Sequence, residues 1–178
     1  MLMENNSMSH TKTIAVMALF VALSFVGSYL RIFGTIAFDS LPGFLAALLL
    51  GPTHGALIGF LGHLFTALNS GFPLSFPLHL AIAVSMAITM YGYGSVYKVL
   101  IKRLSEAATL TVTGVVGTIL NAPVSLALSI GVLWIMAGLE AALGLLALLP
   151  VLTLASIANI GISIVLFKSL RRVWNKTA

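Results

Sequence analysis

Neutral polar side chains recur at helical spacing in an otherwise apolar chain, and these residues could bind a ligand. The stripes are Thr118, Asn121, Ser125 and Ser129, and later Thr153, Ser156, Asn159 and Ser163. Residues three or four apart share one face of a helix. Such hydroxyls and amides either bind a neutral molecule or join neighbouring helices. Both interpretations stay open for Asn121 and Asn159, because an amide is costly in lipid without partners.

Sequence signatures of catalysis, metal binding and ATP hydrolysis are absent. The chain has no cysteine, no GxxxxGK[ST] and no HExxH. No Asp, Glu, Lys or Arg lies in the middle of a predicted helix, so proton coupling through a buried carboxylate pair is not indicated. We expect no cofactor, no metal and no nucleic-acid partner. The pattern indicates a binding chamber that draws its energy from another protein.

The composition predicts an all-α integral membrane protein. Hydrophobic residues make up 60% of the 178 and charged residues 7%, against about 25% charged in soluble domains. We predict one domain over residues 1–178, a compact bundle of six transmembrane helices at about 13–30, 41–50, 53–68, 78–100, 108–136 and 144–170. The second helix is short, since ten residues rise only about 15 Å, whereas a hydrocarbon core is roughly 30 Å thick.

The basic residues support six crossings with both termini in the cytoplasm. Six crossings place one group of cations on the side of the termini: Lys12, Lys98, Lys102, Arg103, Lys168, Arg171, Arg172 and Lys176. Only Arg31 falls on the opposite side. Cytoplasmic loops of membrane proteins carry the excess of Lys and Arg, so the terminal side is the cytoplasm.

This topology gathers polar residues into a cavity that opens outward. We predict a substrate site formed by Asp39, His63, Thr66, Asn69, Phe76, His79, Asn121, Ser125 and Asn159, with Phe72 and Trp134 also available for stacking. Asp39 has a second interpretation, since an Asp at the start of a helix can accept backbone N–H groups. Each histidine could instead satisfy a buried neighbour.

Small residues form two faces on which another helix can pack closely. Ala18 and Ala22 make an AxxxA face on the first helix, and Gly55, Gly59 and His63 make a ladder on the third. Internal packing is the favoured interpretation for the ladder. The AxxxA face is equally suited to internal packing and to a partner protein.

The segment Asp39-x-x-Pro42, an apolar run and Gly51-Pro52-x-x-Gly55 resembles the substrate-binding S components of energy-coupling factor (ECF) vitamin transporters. The resemblance covers nearly the whole chain. It implies a multi-pass protein of a bacterial-type cell membrane, which topples to carry substrate inward. It also implies a membrane coupling subunit, docked on Ala18 and Ala22, and two cytoplasmic ATPases. Asp39 would then belong to an outer lid.

The substrate is less well defined by the sequence than the family. Anionic vitamins such as pantothenate or biotin usually bind beside a cationic side chain, and Arg31 is the one candidate on the outward side. The GFPL link at 71–74 and the LHL start of the fourth helix resemble S components assigned to the cobalamin precursor α-ribazole. We rank α-ribazole ahead of pantothenate and riboflavin. Two other classes stay open: a small membrane enzyme using His63 and His79, and a structural assembly protein.

Overall fold

A computed structural model describes residues 9–29, 31–32 and 36–177 and shows a helical bundle. The helices are α1 His10–Gly27, α2 Leu41–Leu49, α3 Pro52–Asn69, α4 Phe76–Leu100, α5 Glu106–Ile119, α6 Ser125–Ala137, α7 Leu139–Leu143 and α8 Leu149–Thr177. Two short strands, β1 Arg31–Ile32 and β2 Ile36–Ala37, pair antiparallel between α1 and α2. A π-helical segment, Leu120–Val124, joins α5 to α6, and a 3₁₀ segment, Gly144–Leu148, joins α7 to α8.

Interruptions divide the last two predicted helices. The π segment contains Pro123, which has no N–H for the helical hydrogen-bond ladder, so the helix widens there by one residue per turn. Gly138, at a φ of +87°, ends α6 in a backbone conformation that favours glycine. The helix predicted to start at 144 begins instead as a 3₁₀ turn and becomes α-helical at Leu149.

Four stretches of the described chain are long and apolar enough to cross a membrane: His10–Gly27, Phe76–Leu100, Glu106–Ala137 and Leu139–Arg172. The two helices that fall outside this set are α2, with nine residues, and α3, with 18. At 1.5 Å per residue, α2 is about 14 Å long and α3 about 27 Å.

The short helix α2 lies in the middle of the bundle. Every residue from Pro42 to Leu48 is buried, and α2 contacts α1, α3, α4 and α8. A helix that is apolar on all sides is stable only when neighbours surround it. The ring of Phe44 packs edge-on against that of Tyr93 in α4, with 5.0 Å between centroids.

The glycine ladder of α3 serves internal packing. A Cβ atom at Gly55 would lie 2.5 Å from the Cβ of Ala47 in α2, and one at Gly59 would lie 2.8 Å from Met90 Cγ in α4. Ala18 and Ala22 behave differently, since both are exposed on α1. The two small-residue faces therefore have separate roles.

Cations gather at one end of the bundle. Lys98 lies near the end of α4, 19 residues and thus about 28 Å along the helix from His79 near its start. At the same end, Arg171 Nη1 of α8 lies 2.7 Å from Glu106 Oε2 at the start of α5. This ion pair lies near the ends of two helices, where a charged side chain costs less free energy than it would in the middle of a membrane-spanning helix. The side chains of Arg31 and Lys176 lie outside the described residues.

Substituting Gly55 by Val should destabilise the bundle, because the added atoms meet the backbone and Cβ of Ala47. Forcing extra carbon atoms into a packed site typically costs about 1–3 kcal/mol. Thermal unfolding in detergent measures the loss. Gly131→Ala is the matched control, since a Cβ there meets nothing within 4 Å. Equal melting temperatures for the two variants would show that α2 and α3 can move apart without loss of stability.

Candidate functional site

A cavity of about 330 Å³ lies at the end of the bundle away from the cation cluster. Its walls come from α3, α4, α6 and α8, together with the π and 3₁₀ segments. The link from β2 to α2 and the connection from α3 to α4 also contribute. The polar lining consists of Asp39, Ser40, His63, His79, Asn121, Ser125, Ser129 and Asn159. Among the described residues of the lining, Asp39 is the one Asp, Glu, Lys or Arg.

Six of the nine residues predicted for the substrate site line this one cavity. They are Asp39, His63, His79, Asn121, Ser125 and Asn159. Asp39 also lies just before α2, whose N-cap residue is Ser40. Apolar side chains, including those of Ile82, Met86 and Leu126, fill the rest of the wall. This mixture of a few polar groups in an apolar wall is typical of small-molecule pockets.

Three predicted site residues lie outside the cavity lining, and each makes another contact. The Thr66 hydroxyl donates to the Gly62 carbonyl one turn earlier in α3, at 3.0 Å. Asn69 Oδ1 accepts from the Tyr29 hydroxyl at 2.8 Å. The exposed ring of Phe76 packs edge-on against Phe72, with centroids 5.2 Å apart.

The two other aromatic rings considered for stacking also lie outside the lining. Trp134 is 56% exposed on the outside of α6. Phe72 is in the α3–α4 connection, and its ring centroid is 6.0 Å from that of His79. The rings of the cavity wall are therefore the two imidazoles.

The two histidines form a stacked, hydrogen-bonded pair across α3 and α4. His63 Nε2 lies 3.2 Å from His79 Nδ1, and the ring centroids are 5.4 Å apart. His79 Nε2 donates to the carbonyl of Pro73 at 3.0 Å, since a carbonyl can only accept. His63 Nδ1 lies 4.0 Å from Asp39 Oδ2. The pair thus connects the β2–α2 link to the α3–α4 connection.

Asn159 anchors the strand that covers the cavity. Its amide Nδ2 donates to the Ala37 carbonyl of β2 at 3.0 Å and to the Ala155 carbonyl at 2.8 Å. The side chain is buried, and its Oδ1 has no hydrogen-bond partner among the described residues. The amide therefore has a packing role, and its oxygen is buried behind the cavity wall.

Asn121 occupies the π segment and bonds to α8. Its Nδ2 donates to Ser156 Oγ at 2.6 Å, and its buried Oδ1 has no partner within the described part of the chain. The π turn brings this residue to the cavity, because an extra residue in a turn rotates the side chains that follow. Like Asn159, Asn121 both packs against a neighbouring helix and lines the cavity.

The sequence-based prediction of the site did not include the lining residues Ser40 and Ser129. Two further parts of the site have no distinctive sequence signal. The first is the Pro73 carbonyl, which lies between Phe72 and Leu74, at φ +50° and +70°. A main-chain atom has no residue-type signal, although the two prolines at 73 and 77 mark the connection as irregular. The second is a pair of leucines on the 3₁₀ segment, Leu145 and Leu148, which resemble any lipid-facing leucine in sequence.

A separate apolar groove runs along α1 and α3. Its volume is about 670 Å³, and it is lined by Ile14, Met17, Ala18, Val21, Ala22, Phe25, Leu61 and Phe65. The side chains of Ala18 and Ala22 end at Cβ, whereas the other lining residues of α1 have larger side chains. The groove is therefore deepest at these two alanines. No helix of the described chain fills this groove, so it offers an open surface for another apolar helix.

The family profile described as ECF transporter, substrate-specific component, matches residues 12–171. No curated protein and no solved structure gives a match. The matched range contains both the polar cavity and the apolar groove.

Replacing Asn159 by Ala should loosen the strand above the cavity. The change removes the hydrogen bond to the half-buried Ala37 carbonyl, and loss of such a bond costs about 1 kcal/mol. Unfolding in detergent measures this loss, and faster hydrogen exchange at residues 36–37 localises it. Asn69→Ala is the control, because its exposed bond to Tyr29 should contribute under about 0.5 kcal/mol. An Asn159→Ala protein as stable as the control would contradict the anchoring role.

Proposed function

The chain belongs to the family of ECF transporter substrate-specific components, and we propose that its 330 Å³ cavity binds a vitamin or vitamin precursor. Members of this family are subunits of transporters and not enzymes. They work with a membrane coupling subunit and ATPases. The protein is therefore the substrate-binding membrane subunit of an importer, and the enzyme alternative for His63 and His79 is set aside.

The observation that carries the proposed site is the convergence of polar groups in one cavity. Its polar lining groups come from separate parts of the chain, including Asp39, His63, His79 and Asn159. Hydrogen-bonding groups this dense in an apolar bundle are costly unless they have partners. A bound ligand supplies such partners, and the cavity volume falls at the lower end of the usual range for small-molecule sites, roughly 300–1,000 Å³.

α-Ribazole is the first candidate substrate. It joins a neutral aromatic base to a sugar, and the cavity offers neutral acceptors and hydroxyls beside an apolar wall. Pantothenate and riboflavin are the alternatives. Pantothenate is an anion, and the described lining contains a carboxylate but no Lys or Arg. This electrostatic mismatch ranks pantothenate below α-ribazole.

In the proposed topology the chain crosses the cell membrane six times, with α2 as a short crossing and both termini in the cytoplasm. Lys98 and Arg171 support this orientation, because they lie at the end of the bundle away from the cavity. Positive charge favours the cytoplasmic side. The cavity then faces outward, where it can receive substrate before the subunit docks and releases it inward.

The α1–α3 groove is the proposed docking surface for the coupling subunit. It is open and almost wholly apolar, and Ala18 and Ala22 leave room for the close approach of another helix. The groove and the cavity share no lining residue. Docking and substrate binding can therefore be separated by substitution.

Purified protein in detergent should bind α-ribazole without ATP or a coupling subunit, as measured by isothermal titration calorimetry against a panel of vitamins. Asn121→Ala should weaken binding at least tenfold, because loss of one buried hydrogen bond costs about 1–3 kcal/mol. Unchanged affinity with lower thermal stability would assign Asn121 to helix packing alone. Binding of no vitamin in the panel would contradict the proposed site. Mass spectrometry of co-purifying small molecules provides an independent identification.

Ala18→Trp and Ala22→Trp should leave ligand affinity in detergent within about twofold but abolish ATP-dependent uptake by the reconstituted full transporter. A bulky ring in the groove holds the coupling subunit away, and neither alanine lines the cavity. Val115→Trp is the matched control, because it adds the same ring to an exposed position on α5. Uptake that persists in both groove variants would place docking elsewhere.

A further inference from the structure

The Asp39–His63–His79–Pro73 series of contacts defines which kind of chemical group the cavity can receive. In order, the contacts join Asp39 Oδ2 to His63 Nδ1, His63 Nε2 to His79 Nδ1, and His79 Nε2 to the Pro73 carbonyl. Their distances are 4.0, 3.2 and 3.0 Å. All four residues line the cavity.

The hydrogen positions follow from one end of the series. The Pro73 carbonyl accepts only, so His79 Nε2 carries a hydrogen. A neutral imidazole has one N–H, which leaves His79 Nδ1 as an acceptor. His63 Nε2 must then donate to it, and His63 Nδ1 is left with a lone pair. For two neutral rings this is the one arrangement in which both hydrogen bonds of the pair, His63 to His79 and His79 to Pro73, are made.

The lone pair of His63 Nδ1 therefore faces a second acceptor, the carboxylate of Asp39. Their separation of 4.0 Å exceeds a direct hydrogen bond. An atom about 2.8 Å from both would see them at an angle of roughly 90°, which suits an atom that bears two hydrogens. An amino group has this geometry, whereas two neighbouring hydroxyls of a sugar could donate one hydrogen bond to each acceptor from two oxygen atoms. A carboxylate at the same place would bring a third acceptor.

The two asparagines use their amide groups on the protein itself. Asn159 directs its NH₂ to two carbonyl groups, and Asn121 donates Nδ2 to Ser156. Their Oδ1 atoms are buried away from the cavity. The Ser129 hydroxyl donates to the Ser125 carbonyl, and the hydroxyls of Ser40 and Ser125 can turn to either role. His63 Nδ1 and the Asp39 carboxylate are therefore the groups that decide between a donor and an acceptor on the ligand.

We propose that the substrate presents hydrogen-bond donors, from an amino group or sugar hydroxyls, to His63 Nδ1 and Asp39, and that this place in the cavity rejects carboxylates. The proposal rests on the proposed function, because it names the substrate chemistry of the same site. His79 and Pro73 act as positioning groups, since they hold His63 in the accepting tautomer.

The tautomers can be read directly by long-range ¹H–¹⁵N correlation NMR on detergent-solubilised protein labelled with ¹⁵N-histidine. The sequence has four histidines, and loss of signals in His63→Gln and His79→Gln assigns the two that matter. We expect both rings to be neutral at pH 7.5 with hydrogen on Nε2. A hydrogen on His63 Nδ1, in a neutral or a charged ring, would overturn the proposal without affecting the importer assignment.

The donor preference can be tested with benzimidazoles that carry an aminomethyl, hydroxymethyl or carboxylate group at the same ring position. We expect the aminomethyl or hydroxymethyl probe to bind at least tenfold more tightly than the carboxylate, by calorimetry or ligand-induced rise in melting temperature. The better of these two identifies the donor as an amine or a hydroxyl. Equal or tighter binding of the carboxylate, or no binding of either donor at millimolar concentration, would overturn the proposal.

Two variants connect this preference to the series of contacts. In Asp39→Asn the new amide can itself donate to His63 Nδ1, so the advantage of the donor probes should shrink about tenfold. His54→Gln is the control, since His54 contacts the Leu50 carbonyl at the other end of α3 and should leave the preference unchanged. An unchanged preference in a folded Asp39→Asn protein counts against the proposal. Vitamin uptake by the full wild-type transporter tests the proposed function separately.

Discussion

Burial of the short helix α2 is the constraint on which the rest of this bundle depends. A helix of nine residues is about 14 Å long, well short of a hydrocarbon core of roughly 30 Å, and an apolar helix of this length has little stability alone. It is held because Gly55 and Gly94 lack side chains and so let Ala47 come close. A Cβ atom added at Gly55 would lie 2.5 Å from Ala47 Cβ, and one added at Gly94 would lie 3.1 Å from the Ala47 carbonyl oxygen. Enclosure of α2 also determines where its first residues lie, so Asp39 and Ser40 reach the cavity.

The cavity is stabilised by side chains that serve packing and lining together. Asn159 uses its donors to hold β2 against α8, and Asn121 uses its own to hold the π segment against α8. The oxygen atoms of both amides are left buried without a partner among the described residues. In a low-dielectric interior such unpaired acceptors are costly, so the bonds made by the N–H groups and the surrounding packing must offset that cost.

Helix α3 connects the two functional surfaces. One side of it carries Leu61 and Phe65 into the α1–α3 groove, and another directs His63 into the cavity. Between them, Gly62 packs so closely on α1 that a Cβ would lie 2.7 Å from Ser24 Cβ. A shift of α3 would therefore move α1, and with it the α1–α3 groove. Tight packing of this kind transmits small displacements because it leaves no space to absorb them.

The sequence by itself determined the membrane class, the helical architecture and the family, because each depends on local composition or on a short motif. Apolar length predicts the helices, Asp39-x-x-Pro42 with Gly51-Pro52-x-x-Gly55 indicates the family, and the polar residues at helical spacing include Asn121, Ser125, Ser129 and Asn159 of the cavity lining. The sequence favoured internal packing for Gly55 and left two roles open for Ala18. The tertiary structure shows Gly55 packed against α2 and Ala18 on an open surface. It also decided that Thr66 and Phe76 lie outside the lining, since their nearest partners are Gly62 and Phe72. The hydrogen-bond direction from His63 to Pro73 depends on a main-chain carbonyl and on two residues 16 positions apart. Such contacts are set by how the helices pack and not by the residues that follow one another along the chain.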